Sequence, residues 1–468
     1  MRTIWIAELR GSLLAWASVA VTLVVVNFTL TLAASVAFSG QHAISSRQMI
    51  AEEVGFFVFT PITNMVLCTV VGATAISSVT ALVLDTRRGA LARLVLAGAT
   101  PRQLVRLIVG QLAMVSVAAS TIGASLALVL LEPTLAFLAH ERRAEGLATV
   151  PEPVYRLLPI VAAVALSVAV AVIGGARQAI TASRTEPVQA LRDAQHDGAV
   201  PMGPLRWAMS AVAFLVVVGG LAALPSAATS GVDALDLVLQ ISLLLLVVSG
   251  MGLAAAAPAL VGPVTAVWTR LAPLRRGTWA VARHNTIVRG SRLAQSVVPI
   301  MFTVGLLTGA LLLVDLLLAA RRVNGTERDV VVSDWATLLV FLGLPLFVAF
   351  SGAVSSLIIA ARQRDAELAL LGMIGATPGQ RLAMPAIEGL LLTVTGPLLA
   401  AVMWLVSAGA LIAGINLAGS AVGPPTNPWV FVISFGGSLI PIVATIVLPT
   451  LRARELSEPE VLAGLVAD

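Results

Sequence analysis

The chain has 468 residues, of which 58% are hydrophobic and only 11% are charged. Soluble domains carry about a quarter charged residues, so this composition excludes a soluble globular protein. All 29 residues in the Lys plus Arg count are arginine, so the chain has neither a Walker A lysine nor a Schiff-base lysine. The single cysteine excludes an intrachain disulfide, and the four histidines lack metal-ligand spacing. Composition therefore argues against a metalloenzyme and for a protein that spans a bilayer.

Apolar runs long enough to cross a bilayer as a helix occur ten times along the chain. The first run is too long to be the core of a cleavable signal peptide, so we expect it to remain as a membrane anchor. The sequence thus predicts an all-α polytopic membrane protein with ten transmembrane helices. The runs lie near residues 12–38, 55–84, 104–131, 157–180, 207–226, 236–260, 294–320, 334–361, 382–414 and 429–451.

The placement of arginine predicts the orientation of these spans. With the N-terminus in the cytoplasm, 22 of the 29 arginines fall in cytoplasmic segments and 7 in outer segments. Cytoplasmic loops of membrane proteins are enriched in basic residues, so both termini are predicted to lie inside. This arrangement requires an even number of spans, which favours ten over nine or eleven. The outer arginines are Arg47, Arg142, Arg143, Arg156, Arg321, Arg322 and Arg328.

A short motif is repeated in the two halves of the chain. Residues 98–103 read Gly-Ala-Thr-Pro-Arg-Gln, and residues 375–380 read Gly-Ala-Thr-Pro-Gly-Gln, at an offset of 277. Each copy lies between the second and third spans of a four-span unit. Six crossings separate the copies, so we expect parallel repeats related by an axis along the membrane normal.

The repeat predicts a division of the chain into three parts. Residues 1–200 form the first four-span repeat, residues 201–265 form a connecting pair of spans, and residues 266–468 form the second four-span repeat. Two equivalent cytoplasmic segments are suited to a two-fold partner below the membrane.

The residues of each copy predict a helix, a tight break and a new helix. Gly98 and Gly375 stand where a glycine commonly ends a helix. Thr100 and Thr377 then fit the N-cap of the next helix, each followed by proline at its first position.

At these residues the chain resembles the FtsX-like permeases of the MacB-type, or type VII, superfamily of ABC transporters. Residues 87–104 are similar to the cytoplasmic segment of that family. Residues 364–378 are more similar to the usual family pattern, because they keep its glutamate as Glu367, where the first copy has Ala90. The ten-span layout is similar to that of BceB-type permeases.

Two further stretches strengthen the resemblance. Residues 182–192 are similar to the family's signature after the fourth span, and residues 282–285 with Arg289 and Arg292 to the start of its second half. The chain departs from MacB and BceB types in its outer loops, which are too short for a large extracellular domain.

The resemblance implies a permease that works with a separate cytoplasmic ABC ATPase, in two copies per permease chain. ATP and Mg²⁺ would then be bound by the ATPase, so this chain would not itself be an enzyme and would bind no cofactor or metal. It would lie in the plasma membrane of a bacterium. The residues predicted to contact the ATPases are Arg87, Arg88, Leu91, Arg93, Gly98, Ala99, Thr100, Pro101 and Arg102 in the first copy, and Arg364, Glu367, Leu368, Gly375, Ala376, Thr377, Pro378 and Gln380 in the second.

Three functions are compatible with these observations. The first is ATP-driven export or extraction of a hydrophobic or amphipathic substrate, such as an antimicrobial peptide, a drug or a lipid. The second is an FtsX-type subunit that transmits the motion of the ATPase to a partner outside the cell without transport. The third is an ion-coupled secondary transporter, which needs an ionisable group within the membrane. Asn27 and Asp315 are the candidate residues of a substrate path, with helix packing and an interfacial carboxylate as their ordinary roles.

Overall fold

A computed structural model describes residues 13–46, 55–144, 151–183, 203–229, 234–271, 277–323, 339–373, 375, 377–419, 422–423, 428–432 and 436. Within those ranges the chain forms helices and no β-strand, which confirms the predicted all-α class. Eight of these helices are long and apolar enough to cross a membrane. The protein is therefore a multi-pass membrane protein.

The described residues include eleven α-helices of nine residues or more. Two π-helical turns, Gly55–Phe59 and Leu339–Gly343, lead directly into α2 and α10. The α-helices are α1 (Leu13–Ser45), α2 (Thr60–Thr86), α3 (Arg88–Leu96), α4 (Pro101–Ala144), α5 (Leu157–Ser183), α6 (Pro204–Ala228), α7 (Ala234–Trp268), α8 (Gly277–Val288), α9 (Gly290–Val323), α10 (Leu344–Met373) and α11 (Pro378–Leu417).

Eight of the ten predicted spans correspond to the eight candidate membrane helices. The predicted span at 334–361 corresponds to α10, whose apolar part, Leu344–Ile359, is shorter than the others. Most of the predicted span at 429–451 lies outside the described residues, which are helical at 428–432. The count of ten spans and the orientation of the chain stay predictions.

The third span is longer than its apolar run. The predicted third span ends near residue 131, but α4 continues as one helix through Pro133 to Ala144, a length of 44 residues. At 1.5 Å per residue this helix is about 66 Å long, roughly twice the thickness of the hydrocarbon core. Hydropathy locates only the part of a helix that lies in lipid, so it cannot locate the polar end of this helix.

The first of two compact units comprises Met1–Leu84, Leu94–Arg184 and Glu327–Gly352. Helices α1, α4 and α5 pack against one another in this unit. Its core includes ten buried apolar side chains, with Ile44 and Leu344 packed at its edge. These ten are Phe28, Leu32, Val36, Ala43, Phe57, Ala127, Leu131, Leu135, Leu138 and Val340.

The second unit comprises Asp85–Arg93, Thr185–Thr326 and Ala353–Asp468. Its helices α7, α9 and α11 contact one another, and α6 packs on α7 and α11. The connecting pair of spans, α6 and α7, is therefore part of this packed body. The predicted three-part division of the chain stays a prediction, because the packing groups residues by contact and not by repeat.

Side-chain hydrogen bonds join α7 to α11 inside the second unit. The hydroxyls of Thr265 and Thr395 lie 3.0 Å apart, and the indole N–H of Trp268 donates to the Thr395 hydroxyl at 3.1 Å. Further along, Ser407 Oγ donates to the carbonyl oxygen of Ser242 at 2.7 Å. Polar bonds of this kind hold transmembrane helices together where the hydrophobic effect gives them no preference over lipid.

Helices α1 and α4 of the first unit approach each other closely at Gly123. A β-carbon built on Gly123 would lie 2.6 Å from the carbonyl oxygen of Val24 and 2.9 Å from the backbone nitrogen of Phe28. Both are backbone atoms, which cannot move aside as the end of a side chain can. Only glycine lets the two helices approach this closely.

Replacing Gly123 tests this packing. We expect Gly123→Ala to destabilise the protein by roughly 1–3 kcal/mol, because the added methyl group forces the helix backbones apart. A lower midpoint of thermal unfolding in detergent, followed by fluorescence-detected gel filtration, would report the loss. The matched control is Gly219→Ala in α6, where a β-carbon meets nothing within 4 Å. An equal effect of both substitutions would contradict this account of the helix contact.

Candidate functional site

The first copy of the repeated motif forms a complete helix ending. Segment A, which we define as residues 87–103, contains α3 and the start of α4. The backbone N–H of Gly98 donates to Val95 at 2.9 Å, and that of Ala99 donates to Leu94 at 3.0 Å. Gly98 has a φ of 93°, the left-handed conformation that glycine adopts with least strain. This pair of bonds is the Schellman motif, which satisfies carbonyls at the end of a helix.

The next helix starts two residues later with a reciprocal pair of bonds. The Gln103 side chain accepts from the Thr100 backbone N–H at 2.9 Å, and the Gln103 backbone N–H donates to the Thr100 hydroxyl at 3.4 Å. This is a capping box in which glutamine takes the third helical position. Pro101 occupies the first helical position. A backbone N–H there would have no partner within the helix, so proline loses no hydrogen bond. The predicted break between two helices is therefore confirmed.

The second copy has the same geometry. Segment B, which we define as residues 364–380, has Gly375 at a φ of 95°. Its Gln380 side chain accepts from the Thr377 backbone N–H at 3.0 Å, and the return bond to the Thr377 hydroxyl is 3.4 Å long. The two breaks thus agree to within 2° in φ and 0.1 Å in these bonds. The repeat in the sequence is a repeat in local structure.

Segment A displays both cationic and apolar side chains. Arg93 and Arg102 are exposed, whereas Leu91 is buried. Leu96, at the last position of α3, is 72% exposed. Leu96 is not among the residues that the sequence predicts to contact the ATPase, because a leucine in an apolar helical pattern is ordinarily a core residue. Its exposure beside the glycine turn places a large apolar side chain at the tip of the segment.

The structure describes segment B less fully. It places Arg364, Glu367 and Leu368 in helix α10, and their side chains lie outside the described part of the chain, as does Ala376. Thr377 and Gln380 are exposed at the start of α11.

Helix α8 supports the helix that follows segment B. The Asn285 side-chain amide donates to Glu388 Oε1 of α11 at 3.4 Å. Arg283 donates to the Thr269 hydroxyl at 2.8 Å and to the Ala266 carbonyl at 3.3 Å, both at the end of α7. A cation at a helix C-terminus satisfies carbonyls that have no partner within the helix. Helix α8 is thus bound to both α7 and α11.

Asn27 is buried within the first unit. Thr31 donates to its side-chain oxygen at 3.4 Å, and its amide nitrogen has no hydrogen-bond partner among the described residues. Asn27 lies against Gly123, where a β-carbon would be 3.2 Å from the Asn27 β-carbon. A buried amide with an unmade bond is costly, so the side chain is a stronger candidate for a polar contact than its sequence position alone indicated.

Asp315 lies in α9 of the second unit and is half-buried. It stands five residues before the end of the apolar span Leu293–Ala320, about 8 Å along the helix axis. This position agrees with an interfacial carboxylate. Asn27 and Asp315 belong to different units, so their roles are tested separately.

The glycine turns can be tested without a partner protein. We expect Gly375→Ala to destabilise the start of α11 by about 1–2 kcal/mol, because a β-carbon is strained at positive φ. Backbone amides around residue 380 would then exchange with deuterium roughly 5- to 30-fold faster, as measured by mass spectrometry. Gly379→Ala is the matched control, since Gly379 has open space for a β-carbon and no positive φ. Unchanged exchange in the Gly375 variant would contradict the assigned turn.

Comparison with known proteins agrees with the repeated geometry. The FtsX-like permease C-terminal family matches residues 62–187 and 339–457, together more than half of the chain. The matched regions start at 62 and 339, which reproduces the offset of 277 found between the motifs, and each region contains one glycine turn. A search of curated proteins finds no match. With its apolar helices and its two matched regions, the chain belongs to the FtsX-like permease C-terminal family.

Proposed function

We propose that this chain is the permease subunit of an ABC transporter, driven by ATP hydrolysis on a separate cytoplasmic ATPase. The observation that carries the proposal is the pair of segments A and B, which have one local geometry and lie in the two family-matched regions. Permeases of this family are generally membrane subunits of such systems. Two equivalent docking segments on one chain suit two ATPase subunits, which close on each other when they bind ATP.

The site supplies the features that a docking surface needs. The exposed side chain of Arg102 offers charge complementarity to an acidic rim, which speeds and orients association. The exposed Leu96 offers an apolar anchor for a pocket, the kind of contact that dominates binding energy. The Schellman motif and the capping box hold these groups on a preorganised turn, so less conformational entropy is lost on docking.

The cargo that fits this chain is hydrophobic or amphipathic. The described helices offer few ionisable groups within the membrane, and a charged cargo would need compensating charges there. The candidate cargoes are an antimicrobial peptide, a drug or a lipid, released toward the outer leaflet of a bacterial plasma membrane. The buried Asn27 amide is the candidate polar contact in this path.

Two other functions give different results in one experiment. The protein is purified with its ATPase, reconstituted into liposomes and supplied with ATP and a lipophilic fluorescent dye or a fluorescent phospholipid. Movement of either probe that depends on ATP supports the transporter. ATP hydrolysis without movement, with an extracellular hydrolase retained on the complex, supports an FtsX-type transmission subunit. Movement that needs only an ion gradient and is lost in Asp315→Asn supports a secondary transporter.

Charge introduced at Leu96 tests docking directly. We expect Leu96→Glu to weaken binding of the ATPase at least tenfold, because a carboxylate replaces the apolar anchor in a desolvated contact. Binding is measured by titrating the purified ATPase onto the permease in nanodiscs.

Leu271→Glu is the matched control for this experiment. Leu271 follows α7 and is 86% exposed, so it receives the same substitution on a surface outside segments A and B. Both variants should keep the wild-type unfolding midpoint, since neither side chain is buried. Equal binding of the ATPase to the Leu96 variant and to wild type would contradict docking at segment A.

A further inference from the structure

One hydrogen bond in the first unit connects two spans that are far apart in the sequence. The Asn64 side-chain amide in α2 donates to the carbonyl oxygen of Val340 at 2.7 Å. Asn64 is buried and lies near the end of α2 remote from segment A. Val340 is buried too, and it lies just before α10, at the end remote from segment B.

The acceptor carbonyl belongs to an irregular turn. Val340 lies in the π-helical turn Leu339–Gly343, where backbone bonds reach five residues ahead instead of four. Such a turn departs from the regular α-helical ladder and offers a carbonyl to a partner outside the helix. In a lipid environment an unsatisfied carbonyl has no water to bind, so the Asn64 amide stabilises the turn that starts α10.

The two partners occupy almost equivalent positions in the repeat. They are 276 residues apart, whereas the repeat offset is 277. The residue equivalent to Asn64 is Phe341, which has no amide, so the reciprocal bond is not possible. Of the two reciprocal bonds, only the one from the Asn64 amide of α2 to the Val340 carbonyl oxygen can therefore form.

Apolar contacts surround this bond and fix the same end of α10 in the first unit. The rings of Phe28 and Phe347 meet edge to face, with centroids 6.3 Å apart. Val340 belongs to the core cluster of the first unit, and Leu344 packs against it. From Ala353 onward, α10 belongs to the second unit and leads to segment B.

We infer that Asn64 is a positioning residue for the start of α10, the helix that runs into segment B. The chain is helical without interruption from Leu339 to Met373, about 50 Å at 1.5 Å per residue. A displacement of segment B by a docked ATPase is carried along this rod to the end that Asn64 holds. The inference rests on the proposed function, since it assigns a route to the motion that the ATPase supplies.

The first measurement asks whether Asn64 holds the end of α10. Spin labels are placed at the exposed positions Ile62 and Leu339 in a Cys68→Ala background, and dipolar broadening between them is recorded in liposomes. We expect Asn64→Leu, which keeps the volume and removes the donor, to reduce the broadening at least twofold. Thr63→Val is the matched control, because Thr63 is an exposed neighbour on the same helix and should leave the broadening unchanged.

The second measurement asks whether the contact transmits motion. In the reconstituted complex, we expect Asn64→Leu to lower the number of lipophilic dye molecules exported per ATP hydrolysed at least threefold. Assembly with the ATPase and basal ATP hydrolysis should stay within a factor of two of wild type. Asn64→Gln restores an amide donor one methylene further out and should recover part of both signals. A residue that only stabilised the fold would lower complex assembly and hydrolysis together.

The outcomes separate this inference from the proposed function. Unchanged broadening in Asn64→Leu overturns the role of the bond, and lost broadening with a normal export ratio overturns the transmission. A wild-type chain that assembles with no ATPase overturns the proposed function and the transmission with it, while the broadening still depends on Asn64. Loss of both signals, with partial recovery in Asn64→Gln, supports the inference.

Discussion

A membrane interior supplies no water to the backbone, so every buried N–H and C=O must find its partner within the protein. This constraint accounts for the long uninterrupted helices, such as the 44 residues of α4 and the 40 of α11. It also requires that the backbone groups at a break in a helix find other hydrogen-bond partners. The π-helical turn before α10 receives the Asn64 amide.

Helix ends at exposed positions can form hydrogen bonds with water, whereas helix ends in lipid cannot. Gly98 and Gly375 are exposed, so water is available there, yet both following helices start with a capping box and the Gly98 turn also has its Schellman bonds. These bonds fix the local conformation where one helix ends and the next begins, which suits the docking role proposed for segments A and B.

Duplication has given two similar turns within two different bodies. The second unit includes α6 and α7, whose hydroxyls and indole bond directly to α11. The first unit has a tight glycine contact between α1 and α4 and a buried Asn27 amide with an unmade bond. Local sequence repeats reproduce local geometry, whereas packing depends on which other helices are present. The two halves can therefore share the local geometry of segments A and B and differ in the packing around them.

The fold class and most of the spans followed from hydropathy, because a lipid-spanning helix must be apolar over a fixed length. The two turns also followed from the residues alone, since a left-handed glycine, an N-cap threonine and a first-turn proline act within a few residues. Position in the sequence did not indicate the exposure of Leu96. Its pattern is that of a buried residue, and only the packing of neighbouring helices leaves it uncovered.

The sequence by itself determined that this is a helical membrane protein with two equivalent turns and without a P-loop lysine. Tertiary structure decided which helices meet: that α6 and α7 join the second unit, that α4 extends well past its apolar run, and that Asn64 meets Val340. The physical reason is the separation along the chain over which each interaction acts. Capping and hydropathy act over a few residues or one helix, whereas a bond between residues 276 apart exists only after the whole bundle has packed.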